Sequence, residues 1–167
     1  MATCTVTVTT DAASIKLNKK SLKLEYKGTA TLKATVTPDT TTDAAVTWSS
    51  SNAKVASVNA NGKVTAKKNG TATITAKTAN GKTATCKVTV KSTVKLNSKS
   101  TVLQIKKSST ALKVASKSSS KDAIASVKSS NTEVLKVSVK GNKITMKAQK
   151  KTGTAKVTVT MKSGAKA

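Results

Sequence analysis

The carboxylates of this chain are too few and too scattered in sequence to indicate a catalytic site. There are six of them, and the chain contains no histidine. General acid–base and nucleophilic catalysis both need a base held beside the reacting group. The spacing suggests no such pair, so we expect no catalytic residue and no enzymatic activity. The carboxylates are Asp11, Glu25, Asp39, Asp43, Asp122 and Glu133.

Two cysteines, Cys4 and Cys86, could in principle form a disulfide or bind a metal. They occupy the same place in two copies of one segment, because residues 2–8 read ATCTVTV and residues 84–90 read ATCKVTV. Equivalent strands of two domains do not meet inside either domain, and two isolated thiols do not make a zinc site. Both cysteines fall on the apolar side of an alternating pattern. We therefore interpret each one as a small buried hydrophobic residue.

Asp39 and Asp43 share a threonine-rich loop and are the pair that could contribute to a calcium site. Calcium in proteins takes several oxygen ligands, usually including more carboxylates than this loop offers. We expect a solvated loop, no metal site and no cofactor.

The charge of the chain comes entirely from lysine. The 31 basic residues outnumber six acidic ones and give a net charge of +25. Strongly basic chains bind nucleic acid, anionic membranes or acidic polymers. Base recognition favours arginine, and single-strand binding favours stacked aromatic rings; this chain has no arginine, one Trp and one Tyr. We expect no specific nucleic-acid partner, no membrane insertion, and weak, salt-sensitive binding to polyanions or anionic glycans.

Apolar residues alternate with polar ones along most of the chain, which is typical of half-buried β-strands. Residues 30–36, 72–76 and 84–90 follow this pattern. Asn61-Gly62 and Asn80-Gly81 supply the positive φ angles that tight hairpins need. Lysines between inward apolar residues should point to solvent and discourage edge-to-edge pairing; these are Lys23, Lys33, Lys87, Lys113 and Lys156.

The pattern predicts two sets of strands and almost no helix. The first set is expected near residues 14–18, 21–26, 30–36, 45–49, 54–58, 63–67, 71–77 and 83–90. The second is expected near 93–97, 101–105, 110–116, 124–128, 133–138, 143–147 and 154–161. Trp48 should fill the middle of the first core. Its counterpart in the second set, Val127, is much smaller, so we expect the second core to be less stable.

The two sets arise because the chain repeats itself with an offset of 79 residues. Residues 15–18 read IKLN and residues 94–97 read VKLN. Self-similarity at a fixed period indicates an array of similar modules. We assign residues 1–10 to a leading strand equivalent to the last strand of a repeat, 11–91 to module 1, and 92–167 to module 2.

Module 1 closely resembles the bacterial immunoglobulin-like domain of group 2. The resemblance is carried by VTWSSSN at 46–52, VASV at 55–58, GKVTA at 62–66 and GTATITA at 70–76, together with LNKKSLKL at 17–24 and TVTP at 35–38. Module 2 matches more loosely, since it keeps SSN at 129–131 and GTA at 153–155 but lacks the Trp and the Pro. The resemblance implies an all-β chain of two tandem immunoglobulin-like β-sandwiches, with no catalytic motif to carry over.

Domains of this family occur in tandem in intimin- and invasin-like adhesins, S-layer-associated proteins, cell-wall enzymes and some phage virion proteins. The resemblance therefore implies an extracellular location, on a bacterial cell surface or a phage virion, and a role as a stalk, spacer or filament building block. Two alternatives remain open. One is an adhesin segment that binds anionic glycans or a host surface through its lysines; the other is an accessory part of a wall enzyme.

Module 2 lacks the counterpart of one strand, while a copy of that strand leads the chain. Aligning GTA at 153–155 with GTA at 70–72 places the counterpart of Cys86 at position 169, beyond Ala167. Either the chain is a piece of a longer array, or residues 2–8 of one molecule complete module 2 of its neighbour, head to tail. The leading segment could also fold back within its own chain. The strand-donation candidates are Ala2, Cys4, Val6 and Val8.

Overall fold

The computed structural model describes residues 10–42 and 44–167, which form strands, turns and loops without any helix. No helix that could cross a membrane is found in these residues. The chain divides into two compact units. The first contains the residues through Leu24 together with Gly28–Val90; the second contains Glu25–Lys27 and Lys91–Ala167.

The first unit contains nine strands in the described residues, in three sheets. Strands β2, β9, β8 and β5 form one sheet in that order, β3, β7 and β6 form a second, and β1 pairs with β4. Their bounds are β1 (Ser14–Leu17), β2 (Ser21–Leu24), β3 (Thr29–Thr31), β4 (Ala34–Thr37), β5 (Val46–Ser50), β6 (Ala56–Val58), β7 (Lys63–Ala66), β8 (Gly70–Thr78) and β9 (Thr83–Val90).

The core of the first unit lies between its two larger sheets. Strands β8 and β9 contribute one side and strands β6 and β7 the other, because alternate residues of each strand point inward. The inward residues of β9, Cys86, Val88 and Val90, are no more than 2% exposed. This confirms the prediction that alternate residues of this strand are buried. The five lysines that were expected to face solvent are exposed.

Two details of the first unit differ from the sequence-based expectation. The segment 30–36 forms two strands instead of one, since β3 pairs with β7 and β4 pairs with β1. The chain changes sheets at Leu32, which is 1% exposed and whose N–H donates to the carbonyl of Gly62. Trp48 does not occupy the middle of the core; it is half-buried and packs against its side.

The second unit contains seven strands in the described residues. Strands β11, β15 and β14 form one sheet, β13 pairs with β16, and β10 pairs with β12. Their bounds are β10 (Val94–Leu96), β11 (Ser108–Ser109), β12 (Val114–Lys117), β13 (Ile124–Ser129), β14 (Leu135–Lys140), β15 (Lys143–Ala148) and β16 (Val157–Met161).

The two units share one strand order, and every pairing of the second has a counterpart in the first. The pair β10–β12 corresponds to β1–β4, β11–β15–β14 to β3–β7–β6, and β13–β16 to β5–β8. The core of the second unit contains four almost fully buried side chains, those of Ile144, Met146, Val159 and Met161. The expected strand at 101–105 is wrong, because these residues form a loop and a turn. The all-β prediction is confirmed.

Candidate assembly site in the second unit

Strand β9 completes the sheet of the first unit because it pairs along both of its edges. It is antiparallel to β8, with Ile74 opposite Cys86 and Ala72 opposite Val88. Along its other edge it is parallel to β2, with Leu22 beside Val88. Strand β2 has no other partner in this sheet. Strand β2 is therefore held in this sheet by its pairing with β9.

The corresponding place in the second unit is occupied over only three residues, Ala165–Ala167. The N–H of Met161 donates to Ala165 O at 2.8 Å, and Val159 and Ala167 exchange two backbone hydrogen bonds of 2.8 and 3.0 Å. Lys166 stands opposite Thr160. The corresponding residues of the first unit, Lys77 and Thr83, also stand opposite each other. The register is therefore the same in both units.

On the N-terminal side of Val159, one edge of β16 has no strand partner among the described residues. It is the edge that corresponds to the β9-paired edge of β8. Strand β8 begins at Gly70, but β16 begins only at Val157, and its sheet holds no described strand besides β13. Val157 and Ala155 are half-buried, whereas their counterparts in β8, Ile74 and Ala72, are at most 3% exposed. Among the described residues, β16 is thus shorter than β8, and its apolar side chains at this edge are less buried.

The counterpart of β2 is also without strand partners in the described part of the chain. Lys106 has a φ of 59°, like Lys27 at 63°, which fixes the correspondence between the two segments at the 79-residue offset. Residues 100–103 thus correspond to β2, yet they form no strand. Val102 is 95% exposed and Ile105 is 46% exposed. They are the exposed large hydrophobic residues of the described chain, and both lie in or next to this segment.

The strand-donation candidates Ala2, Cys4, Val6 and Val8 lie outside the described residues. Their sequence counterparts in β9 show what such residues do in a completed sheet. Cys86, the counterpart of Cys4, is fully buried. Burial raises the pKa of its thiol, and Lys19 opposes that change through its positive charge.

The carboxylates do not form a site in the described residues. No three His, Cys, Asp or Glu side chains lie close enough to hold a metal ion there. Asp39 is exposed, and Asp43 lies outside the described residues. Glu133 forms an exposed salt bridge of 2.7 Å with Lys151.

Asp122 is a buried polar residue that the sequence did not reveal. It is 1% exposed, and its Oδ1 accepts hydrogen bonds from the N–H groups of Ala123 and Ser163 at 3.1 and 3.0 Å. Its Oδ2 has no hydrogen-bond partner among the described residues. No sequence signal marks it, because its second donor lies 41 residues away. We assign Asp122 the role of joining two loops of the second unit.

Three lysines lie around one face of the pair β13 and β16. An open depression of about 430 Å³ there is lined by Lys128, Lys156 and Lys166 with several hydroxyl side chains. Three ammonium groups around hydroxyls can attract sulfate or carboxylate groups of a glycan. The depression is shallow and contains no described acidic residue.

Comparison with known proteins identifies the first unit. Residues 11–88 match the bacterial Ig-like domain of group 2. This part of the chain is a group 2 bacterial Ig-like domain. An uncharacterized protein of Clostridium acetobutylicum is 50% identical over 60 residues, which is 36% of this chain and 6% of that protein. The chain thus spans a small part of the relative's length.

Solved structures similar to this Ig-like chain include two kinds of bacterial protein. A C-terminal 282-residue fragment of intimin, in complex with the intimin-binding domain of the translocated intimin receptor, is 26% identical, with 50% of this chain and 33% of that chain covered and a TM-score of 0.40. Domains 1–6 of the surface layer protein SbsC are 21% identical, with 92% and 27% covered and a TM-score of 0.38.

Proposed function

We propose that the chain is a non-catalytic spacer in an extracellular array of Ig-like domains, carried on a bacterial surface protein, a surface filament or a phage virion. The observation that supports this most is that the two units repeat one strand order. Modules repeated in tandem extend a chain and present other domains at its end. The scattered carboxylates agree with a role that needs no reacting group.

The proposal includes the module boundaries expected from the sequence, 11–91 and 92–167, with residues 1–10 as a strand equivalent to the last strand of a repeat. It also includes self-association, head to tail, through residues 1–8 and module 2. The covering of lysines suits this role, because repulsion between like charges opposes lateral aggregation of a crowded surface layer.

Binding of the chain to an array of anionic and neutral polysaccharides at physiological salt tests the spacer function. A spacer shows no selective ligand, and only weak retention on polyanions that falls steeply as salt rises. Selective binding to one glycan that persists at physiological salt would contradict the spacer function.

The second candidate function is an adhesin segment that binds an anionic glycan. The depression at Lys128, Lys156 and Lys166 favours it, since these lysines surround hydroxyl groups on one face. Changing all three to Glu should abolish glycan binding if this face is the site. The matched control changes Lys23, Lys33 and Lys87 to Glu, which alters the net charge equally on exposed positions of the first unit. If both variants lost glycan binding equally, the loss would be a nonspecific effect of charge. That result would contradict a glycan site at the depression.

A further inference from the structure

We propose that the incomplete sheet of the second unit is an acceptor site for residues 3–8 of a second copy of the chain, because Ala167 already holds the place that corresponds to Ala2. The donated segment would lie between β16 and residues 100–103, as β9 lies between β8 and β2. This inference deepens the proposed function, because it rests on the partner being another module of the same array. Backbone pairing would supply affinity, and the inward side chains would supply specificity.

The side chains of the donor segment match those that the place requires. In β9 the inward residues are Cys86, Val88 and Val90, and all three are buried. Residues 2–8 carry Cys4, Val6 and Val8 at the same spacing. Burying these valine side chains favours the contact, because it removes apolar surface from water. The donor therefore supplies the inward side chains that the described residues of the second unit lack.

The register of the donated strand follows from the first unit. The pair Ile74–Cys86 places Cys4 opposite Val157, and the pair Ala72–Val88 places Val6 opposite Ala155. The parallel pair Leu24–Val90 places Val8 beside Leu103. Leu103, Ala155 and Val157 are all half-buried against the core of the second unit. The donor would cover these side chains.

At one cross-strand position, the threonine and the lysine of the first unit are swapped between the two strands of the proposed contact. In the first unit Thr73 of β8 stands opposite Lys87 of β9. In the second unit the counterpart of Thr73 is Lys156, whose N–H bonds the hydroxyl of Ser130 as that of Thr73 bonds Ser51. The counterpart of Lys87 in the donor is Thr5. Each pair thus holds one lysine and one threonine, and two lysines directly opposite each other are avoided.

The order of the segments along the chain points to a second copy as the donor. Residues 84–90 complete the first unit and lead directly into the second. Residues 2–8 likewise lead directly into the first unit, so they stand where the last strand of a preceding module would be. A second copy places its own second unit in that preceding position. Donor and acceptor are then different segments of the chain, so the contact is head to tail and links successive molecules.

The first test compares the oligomeric state of the 167-residue protein with that of two variants by analytical ultracentrifugation. Val6→Lys places a charge where β9 has a fully buried valine and should weaken association by about tenfold or more. Thr7→Lys adds the same charge on the outward face, opposite Thr154, and should leave association unchanged. Equal association of the two variants, or a monomeric wild type at all concentrations, would overturn the inference.

The second test supplies the strand within the same molecule. Adding a copy of residues 3–8 after Ala167 continues the strand that Ala165–Ala167 begins and should block association, since the acceptor is then filled. Residues that follow Ala167 in a longer protein would compete in the same way. Association that persists unchanged in the extended protein would overturn the assigned acceptor.

The third test uses the threonine–lysine exchange. Thr5→Lys should weaken association, because it places a lysine opposite Lys156. The double variant Thr5→Lys, Lys156→Thr recreates the pair of the first unit and should restore it. If the double variant associated as weakly as Thr5→Lys, the proposed register of the donated strand against β16 would be wrong. A selective glycan ligand would instead reject the spacer function, so the two failures are distinguishable.

Discussion

Cys86 is where sequence, burial and ionisation come together most directly. Its position on the apolar side of an alternating strand predicted that it would be buried, and the thiol is 0% exposed. A thiolate in such a place loses its hydration, so burial raises the pKa of the thiol. The consequence is a thiol that stays protonated and inert while the first unit is folded.

Stability of the first unit should fall at alkaline pH partly because of Cys86. The folded-state pKa lies above the unfolded value, so this contribution is fully present below about pH 8.5 and is lost as pH rises through the folded pKa. The difference in free energy of unfolding between wild type and Cys86→Ala should therefore shrink from pH 7 to pH 10. Denaturant unfolding at the two pH values measures it, and the lysines are common to both proteins. A constant difference would contradict the assigned cause.

Asp122→Ala should destabilise the second unit by about 2 kcal/mol, since it removes the acceptor of two backbone hydrogen bonds and leaves the buried N–H of Ser163 and the partly buried N–H of Ala123 unpaired. The variant Asp39→Ala, at an exposed loop position of the first unit, is the control and should change stability by less than about 0.5 kcal/mol. Hydrogen exchange at the amide of Ser163 reports the local effect. An unchanged exchange rate there would show that Asp122 does not hold this loop.

Among the elements, the turn before β7 is fixed by Gly62. Its φ is +71°, and a Cβ added there would lie 2.4 Å from Leu32 O and 2.9 Å from the ring of Trp48. Trp48 therefore covers this turn from the side of the core. This position of Trp48 explains why it is half-buried while Leu32 and Ile74 take the centre.

Gly62→Ala should destabilise the first unit clearly more than Gly81→Ala. Both glycines have positive φ, which costs an alanine about 1 kcal/mol. An added Cβ at Gly81 meets nothing within 4 Å, whereas at Gly62 it overlaps a backbone oxygen that cannot move freely. Thermal unfolding of the two variants gives the comparison. Equal losses of stability would mean that the turn shifts at little cost.

The elements also show how far sequence reasoning reaches. Alternation located β8 and β9 and their inward residues, because that pattern is local. It could not locate the change of sheet at Leu32, since the alternation continues through it unbroken. It also predicted a strand at 101–105, although strand formation depends on neighbouring strands that local alternation does not reveal. The role of Asp122 was not predicted either, because the hydrogen bond that it accepts from Ser163 joins residues far apart in sequence.

For the whole molecule, the two units should unfold with different stabilities. The described core of the second unit has no counterpart of Cys86, Val88 and Val90, and Val127 stands where the first unit has Trp48. We expect two calorimetric transitions, with the second unit melting first. The extension by residues 3–8 should raise the lower transition and leave the upper one in place. A second unit more stable than the first would contradict this expectation.

The candidate site itself could be predicted from sequence only in part. The repeated segment at 2–8 and 84–90 suggested a donor, and the lack of its counterpart in residues 92–167 suggested module 2 as the acceptor. The structure adds two features that no pattern shows, namely the short extent of β16, Val157–Met161, and the half-burial of Ala155 and Val157. Both result from pairings between segments that are far apart in sequence.

The short pairing of Ala165–Ala167 with β16 has a consequence for accuracy of assembly. A strand can slide by two residues and still present the same face, so an open sheet edge tolerates misplacement. Here Ala167 already occupies the position opposite Val159 and blocks sliding in one direction. In the proposed assembly, Ala167 would set where the donated strand begins, so that successive links would all have the same length.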